Sequence, residues 1–225
     1  MENKQKINTI LSVFLLIALI LIGIFLLKGK TPIPKNIVKN IKKELLPVSD
    51  QDFSTGNKDA LLTIVMYEDF QCPFCGKFDK ETEQPIRNTY VKDGKIQLVY
   101  RDFVFLGDES IKSAQAARCA GEQEKFWEYH DFLFTHQNGE NKGAFADSNL
   151  KSFAKEIGLN EKKFNDCLDS GKYTKAILDS TEEGHNAGVK GTPKGFILKN
   201  GIIVDTINGA ENTTTVFSKI EKALK

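Results

Sequence analysis

Leu61-Leu62-Thr63-Ile64-Val65-Met66-Tyr67 is followed, four residues later, by Cys72-Pro73-Phe74-Cys75. The first run is almost continuously apolar and rich in β-branched residues, which is typical of a strand covered on both faces. Pro73 suits the first turn of a helix, where its missing N–H is not needed. The stretch therefore predicts a central strand, a short loop and a helix that begins at the two cysteines.

The two cysteines of this stretch are expected to differ in chemistry. Two intervening residues bring their sulfur atoms within disulfide distance at the start of a helix. Cys72 should be exposed at the positive end of the helix dipole, where the pKa of its thiol is lowered and its thiolate is nucleophilic. Cys75 lies one turn further along, so we expect it to be shielded and to act as the resolving thiol.

Cysteines at this spacing also occur in zinc sites, which need a second set of ligands. The remaining cysteines, Cys119 and Cys167, are 48 positions apart and neither has a neighbouring histidine. The histidines form no ligand spacing that we recognise; they are His130, His136 and His185. The pattern therefore favours redox chemistry, with no metal and no resident cofactor.

The rest of the chain predicts an α/β fold with a mixed sheet. Further strands are expected at Ile96–Tyr100 and on both sides of Asn200-Gly201, a hairpin turn whose residues tolerate positive φ. A helix is expected from 75 to 91, with a break or kink near Pro85. Apolar residues recur at helical spacing between about 108 and 188, and a last helix is expected from 213 to 224. The helical block therefore interrupts the sheet as an insertion.

The N-terminal region predicts a membrane anchor. No charged residue occurs between Lys6 and Lys28, and positions 10–27 are apolar apart from Ser12 and Gly23. At about 1.5 Å per residue, this stretch matches a hydrocarbon core about 30 Å thick. Because no clean cleavage site follows, we expect an uncleaved anchor in residues 1–30. Residues 31–57 are expected to be a tether to a domain at 58–225.

The orientation of this anchor rests on two opposing signals. Two lysines precede the span and six follow it closely, which by the positive-inside rule places the domain in the cytoplasm. The cysteine pattern favours an oxidising compartment instead, and long domains are translocated despite their flanking charge. We therefore expect a single-pass protein of the cell membrane with its domain on the extracytoplasmic side.

The overall composition argues against nucleic acid as a partner. The formal net charge is +1, and only three of the 31 basic residues are arginines, the side chains best suited to gripping phosphate. Apolar residues make up 40% of the chain and include 16 Phe among the aromatic side chains. This content supports a packed core and excludes disorder of the whole chain.

Three segments together resemble the DsbA-like branch of the thioredoxin superfamily. They are Tyr67-Glu68-Asp69-Phe70-Gln71-Cys72-Pro73-Phe74-Cys75, Lys125-Phe126-Trp127-Glu128-Tyr129-His130 in the helical block, and Gly191-Thr192-Pro193 before the hairpin. The likeness covers about residues 58–225. It implies a thioredoxin fold interrupted by a helical domain, with Pro193 in cis opposite the two cysteines.

The resemblance also implies roles for individual residues. Cys72 would be the nucleophile and Cys75 the resolving cysteine. Thr192, before the cis proline, would line a substrate groove together with three neighbours of the site, Pro193, Pro73 and Phe74. The expected substrates are cysteine-containing translocated proteins, which would receive a disulfide by exchange. A membrane-embedded, quinone-linked partner would reoxidise the cysteines.

The chain departs from this family pattern at Met66 and Phe74, and it shares one further feature with some relatives. Many relatives carry a buried acid where this chain has Met66, so proton handling at Cys75 falls to water or to Glu68. Strongly oxidising relatives often have His where this chain has Phe74, so a milder oxidant is expected. Some relatives carry a second, structural disulfide in the insertion, and Cys119 with Cys167 resembles such a pair; two buried free thiols are the alternative.

The sequence therefore predicts a membrane-anchored thiol–disulfide oxidoreductase that introduces disulfides. Two other functions fit the same residues. A reductase or isomerase would use the same two cysteines, although an isomerase would usually carry a dimerisation module. A redox-inactive thioredoxin-like module would bind clients without exchanging disulfides.

Overall fold

The computed structural model describes residues 45–225. Five strands form one mixed sheet in the order β1-β3-β2-β4-β5: β1 (Phe53–Gly56), β2 (Leu62–Glu68), β3 (Ile96–Asp102), β4 (Lys194–Lys199) and β5 (Ile202–Asn208). The central strand β2 pairs parallel with β3 and antiparallel with β4. The outer pairs, β1 with β3 and β4 with β5, are antiparallel. The prediction of a mixed sheet built around this strand is confirmed.

Strand β2 is covered on both faces, as its apolar composition predicts. Leu62, Ile64 and Met66 pack into one core, where helical residues and β5 meet them. Val65 and Tyr67 point to the opposite face and pack into a second core with β3 and β4. This alternation follows the two-residue period of a strand, and it places the end of β2 deep inside the molecule.

The helices fall in three groups along the chain. The helix α1 (Pro73–Phe78) follows β2, and five helices lie between β3 and β4. These are α2 (Asp108–Gly121), α3 (Phe126–Thr135), α4 (Asp147–Glu156), α5 (Glu161–Ser170) and α6 (Thr174–Ala187). A last helix, α7 (Thr213–Leu224), ends the chain where the sequence predicts it.

The break expected near Pro85 takes a different form. Helical structure continues beyond α1 through a π-helical segment (Asp79–Glu83), a short α-helical turn (Gln84–Ile86) and a second π-helical segment (Arg87–Val91). Proline has no N–H to donate within a helix, and its ring crowds the preceding turn. The wider π-helical turns flank that proline, so the stretch from 73 to 91 remains continuous.

The tether predicted for 31–57 extends too far, because strand β1 occupies Phe53–Gly56. Phe53 lies opposite Tyr100 of β3 in the sheet register, and its ring stacks on Phe126 at 3.9 Å between centroids. Just before the strand, Asp52 accepts a 2.7 Å hydrogen bond from the Arg101 guanidinium. The turn-forming residues of 50–57 concealed this strand, because its pairing depends on contacts with distant parts of the chain.

The two turns singled out in the sequence are present. Asn200 and Gly201 both have positive φ, 52° and 77°, and connect β4 to β5. The peptide bond between Thr192 and Pro193 is cis and lies directly before β4.

The membrane anchor predicted at residues 1–30 lies outside the described residues. Within residues 45–225, none of the helices has the length and apolar content that crossing a membrane requires.

Candidate active site

The two cysteines lie where β2 leads into α1. Cys72 is the N-cap residue of α1, and its carbonyl oxygen accepts hydrogen bonds from the N–H groups of Cys75 (3.0 Å) and Gly76 (3.2 Å). Cys72 is only 4% exposed, so the expectation of an exposed nucleophile is wrong. Cys75 is 0% exposed, as expected for a shielded thiol.

The cis peptide faces the first cysteine. Cys72 Sγ lies 3.5 Å from the carbonyl oxygen of Thr192, to which the thiol donates a hydrogen bond. The hydroxyl of Thr192 has no hydrogen-bond partner among the described residues. The backbone before Pro193 is thus held against the sulfur that would react.

The two thiols have shifted pKa values in opposite directions. A hydrogen bond from the Cys75 thiol is the main cause that lowers the pKa of Cys72 to about 6, and it outweighs the burial that raises it. The N–H groups of Cys75 and Phe74 add to the lowering. Burial raises the pKa of Cys75 well above that of an ordinary thiol, and the bond to Cys72 adds to this effect. The pair therefore holds one thiolate and one thiol near neutral pH.

Titration of the reduced protein tests this assignment. Thiolate absorbs in the ultraviolet near about 240 nm, and we expect one thiolate to appear with a midpoint near pH 6, the value to which the Cys72 pKa is lowered. A Cys72→Ser variant should lose that transition, whereas Cys75→Ser should keep a thiolate but with a higher midpoint. A midpoint at the ordinary thiol value of about 8.5 in the wild type would contradict the geometry.

Two polar side chains, those of Asp69 and Gln137, fix the loop between β2 and Cys72. The buried Asp69 carboxylate accepts from the N–H of Gln71 (2.9 Å) and from the N–H of Phe105 (3.0 Å). The side-chain amide of Gln137 donates to the carbonyl oxygens of Phe70 (2.6 Å) and Cys72 (3.0 Å). The sequence pattern predicts no role for Asp69 or Gln71, and it gives no signal for Gln137, which lies far along the chain.

Aromatic side chains are exposed beside the buried cysteines. Phe74, between the two cysteines, is 61% exposed, and Phe105 is 50% exposed. The Asp69 carboxylate holds the backbone of Phe105 close to the same loop. In contrast, Phe126 is buried in the core and Trp127 is partly buried against it.

A cluster of buried titratable residues lies beneath the site. Glu68 ends β2, Glu83 belongs to the first π-helical segment and His130 lies in α3. One potential ligand atom from each lies within 4.8 Å of the others, a juxtaposition that the sequence did not predict. The sequence predicts proton handling for Glu68 as one of two options, and it predicts no role for His130.

The remaining cysteines meet inside the helical block. Cys119 of α2 and Cys167 of α5 are joined by a disulfide, with their Cα atoms 5.8 Å apart. Both residues are buried. The alternative of two free thiols does not describe this structure.

The known proteins that are similar to this chain include an antiporter and a disulfide bond formation protein. It is 30% identical over 156 residues to Na(+)/H(+) antiporter NhaA 1 of Salinispora arenicola, an alignment covering 68% of this chain and 22% of that protein. It is 25% identical over 207 residues to a probable disulfide bond formation protein D of Bacillus anthracis, covering 89% of this chain and 91% of that protein. The chain therefore spans about a fifth of the antiporter and most of the second relative.

A solved structure and a family model both support the thioredoxin fold of this chain. The crystal structure of Wolbachia pipientis alpha-DsbA1 superposes with a TM-score of 0.72 at 22% identity, covering 81% of this chain and 95% of that one. The thioredoxin family model, described as "Thioredoxin", matches residues 49–217, which is most of the chain. This protein therefore belongs to the thioredoxin superfamily and to its DsbA-like branch.

Proposed function

We propose that this protein is a thiol–disulfide oxidoreductase that introduces disulfides into cysteine-containing proteins through Cys72 and Cys75. The observation that carries the proposal is the pairing of a thiolate-forming Cys72 with a buried Cys75 beside the Thr192 carbonyl. The names of the relatives that are disulfide bond formation proteins support the same chemistry.

The reaction consists of two exchanges. A client thiolate attacks Cys72 Sγ of the Cys72–Cys75 disulfide, which forms a mixed disulfide and releases Cys75 as a thiolate that takes up a proton. A second client thiolate then attacks the client sulfur of the mixed disulfide and displaces Cys72 as a thiolate. The client loses two electrons and gains a disulfide, and the protein ends with two reduced cysteines.

The electrostatics of Cys72 favour transfer of the disulfide from the protein to its client. Its pKa falls from 9.0 to about 6 in the folded reduced protein, so ionisation stabilises that form. The stabilisation is complete above the ordinary thiol pKa and is lost as the pH falls through about 6. Because the disulfide form has no thiol to ionise, the reduced form is favoured by about tenfold at pH 7. A protein that is stabilised when reduced is an oxidant of its clients.

The surface around the cysteines suits an extended, partly apolar client. We assign client contacts to four residues, Thr192, Pro193, Pro73 and Phe74. The exposed ring of Phe105 would extend this surface. Unfolded chains expose apolar side chains next to their thiols, and such a surface would retain them during exchange.

We place the domain outside the cytoplasmic membrane, held by the apolar segment 10–27. The length of that segment and the Cys119–Cys167 disulfide support this placement, since structural disulfides persist in oxidising compartments. A quinone-linked membrane protein would return the reduced cysteines to the disulfide.

The reduction potential of the Cys72–Cys75 pair tests the proposed direction. We expect the purified full-length protein, equilibrated with glutathione, to give a potential above about −200 mV but below the DsbA value of about −120 mV, because Phe74 supplies no cation to the thiolate. The same preparation should oxidise a reduced peptide that contains two cysteines. A potential near about −270 mV would assign the protein to electron donation instead. Failure to form the disulfide under mild oxidation would favour a redox-inactive binding module.

A further inference from the structure

The cluster of Glu68, Glu83 and His130 contains several polar atoms without hydrogen-bond partners. Among residues 45–225, none forms a hydrogen bond with either oxygen of Glu68, with Oε1 of Glu83 or with Nε2 of His130. The three side chains are at most 1% exposed, so bulk water does not reach these atoms. Burying polar atoms without partners costs folding free energy. A bound group that contacts all of them would remove this cost.

The space between the three side chains has the size of a metal ion. His130 Nε2 lies 3.7 Å from Glu68 Oε2 and 3.8 Å from Glu83 Oε1, and the three atoms are all within 4.8 Å of one another. Both distances exceed that of an N–H···O hydrogen bond, so a proton on Nε2 would have no acceptor within reach. A point equidistant from the three atoms lies about 1.9–2.4 Å from each, a range that includes the zinc–ligand distances of about 2.0–2.2 Å for nitrogen and oxygen.

Asp131 fixes the form of His130 that a metal requires. Asp131 Oδ1 lies 2.9 Å from the imidazole Nδ1, whose N–H donates to this carboxylate. In the neutral ring the lone pair is then on Nε2, the atom that faces the two glutamates. The Asp131 carboxylate is itself held by the Arg87 guanidinium at 2.5 Å. Metal-binding histidines typically donate their other N–H to a carboxylate, which orients the ring and makes the ligand more basic.

The charges of the cluster also match a divalent cation. Among the residues that the structure describes, Arg87 is the permanent cation of this region, and it contacts Asp79 at 3.2 Å and Asp131 at 2.5 Å. Arg87 Nε lies 3.8 Å from Glu83, which is too far for a hydrogen bond. Two buried glutamates therefore remain without a bonded cation. One divalent ion would neutralise both, whereas a water molecule would neutralise neither.

We propose that Glu68, Glu83 and His130 form a binding site for one divalent transition-metal ion, represented by Zn²⁺. The imidazole ligand selects this class of ion, because Ca²⁺ and Mg²⁺ prefer oxygen ligands. Both oxygens of Glu68 are free to bind, so the three residues offer the four donor atoms typical of a structural zinc site. The sequence predicts no metal site because these ligands lie far apart along the chain.

The ion would act as a cross-link between three parts of the fold. Glu68 is the last residue of β2, Glu83 belongs to the first π-helical segment and His130 lies in α3. The strand that leads to the reacting loop, the helical stretch behind α1 and the inserted helices would thus share one ion. A ligand that binds only the folded chain raises its stability. This inference goes beyond the proposed function, because no step of the disulfide exchange requires the ion.

The test is zinc binding by the oxidised full-length protein. The protein is unfolded in guanidinium chloride with a chelator and then refolded in buffers that fix the free Zn²⁺ concentration. Both disulfides stay closed throughout, so that no cysteine thiolate is available as a zinc ligand. Bound zinc is counted by elemental analysis after gel filtration. Trp127 lies 5.0 Å from the His130 ring, so its fluorescence follows binding and thermal unfolding.

We expect the wild type to bind about one Zn²⁺ per chain, with half-saturation below about 1 μM. At a free Zn²⁺ concentration a hundredfold above half-saturation, the midpoint of thermal unfolding should rise by about 5–10 °C. Glu68→Gln and Glu83→Gln should each bind at least about a hundredfold more weakly, because an amide is a neutral and poorer ligand. Glu81→Gln changes an exposed acid of the same π-helical segment and should match the wild type.

Zinc absorption spectroscopy of the wild type gives a second readout that needs no variant. We expect one imidazole nitrogen and carboxylate oxygens around the ion, at about 2.0–2.2 Å, and no sulfur. This measurement decides the question even if the glutamine variants fail to fold.

Several results would overturn the metal site. Wild-type protein that refolds without binding Zn²⁺ would show that protons or water alone occupy the cluster. Equal binding by Glu68→Gln and Glu83→Gln, or a sulfur ligand in the absorption spectrum, would place the ion elsewhere. Tighter binding of Ca²⁺ than of Zn²⁺ would refute the assigned class of ion. A protein that binds zinc as expected but oxidises no client would refute the proposed function and leave the metal site intact.

Discussion

Replacement of Cys72 by Ser should abolish disulfide transfer, with client oxidation falling at least about a thousandfold to the uncatalysed rate. The hydroxyl of serine is not ionised at neutral pH and forms no bond equivalent to a disulfide, so both exchanges lose their reacting atom. The measurement is the oxidation of a reduced two-cysteine peptide by stoichiometric amounts of the preoxidised full-length protein, followed by mass spectrometry.

The companion variant Cys75→Ser provides the control, because it keeps the nucleophile. After activation of Cys72 as a mixed disulfide with glutathione, it should transfer that group to a client and accumulate a Cys72–client adduct. Cys72→Ser should form no adduct at all. Client oxidation that persists in the Cys72 variant would show that another thiol carries the reaction, and the assigned mechanism would then be wrong.

The reacting cysteines were predictable because their signals are local. An apolar strand, a loop and a proline in the first helical turn determine where Cys72 lies relative to α1, and they do so within 15 residues of sequence. The difference between the thiols follows from their positions in one helical turn. The burial of Cys72 was not predictable in the same way, since its sulfur contacts Thr192, which is 120 residues away.

The buried cluster of titratable residues beneath the cysteines was not predicted, for a related reason. Glu68, Glu83 and His130 come from a strand end, a helical stretch and a helix of the insertion, and no spacing in the sequence indicates that they meet. One signal was available: Glu83 falls eight residues after Cys75, on the face of the helical stretch that had to be buried. An acid at a position predicted to be buried is a candidate functional residue, because burying a carboxyl group costs folding free energy and such residues are rare in protein cores.

For strand β1, local composition predicts the wrong secondary structure. Ser54 and Gly56 are turn formers, and they lie in the segment 31–57 that the sequence predicts to be a tether. The strand exists because Phe53 packs on Phe126 and because Arg101 binds Asp52 beside it. Contacts of this kind outweigh local preference, which differs between states by only about 1 kcal/mol per residue.

Removal of the Cys119–Cys167 disulfide should produce the largest loss of stability. The bridge joins α2 to α5 across 48 residues, and the chain-entropy description of such a loop gives a loss of roughly 4 kcal/mol in the free energy of unfolding. The double variant Cys119→Ala/Cys167→Ala is the appropriate change, because it leaves no unpaired thiol to form other bonds with Cys72.

Urea unfolding of the full-length protein, followed by Trp127 fluorescence, measures this loss. The wild type and the double variant should be compared with Cys72 and Cys75 oxidised in both, so that only the second disulfide differs. We expect the unfolding midpoint to fall while the oxidised Cys72–Cys75 pair still exchanges with dithiothreitol at the wild-type rate, since the bridge joins α2 to α5 and the reacting cysteines lie at the start of α1. A loss below about 1 kcal/mol would mean that packing of α2 against α5 already determines the stability of the helical block. Loss of exchange together with stability would instead make the block part of the reacting site.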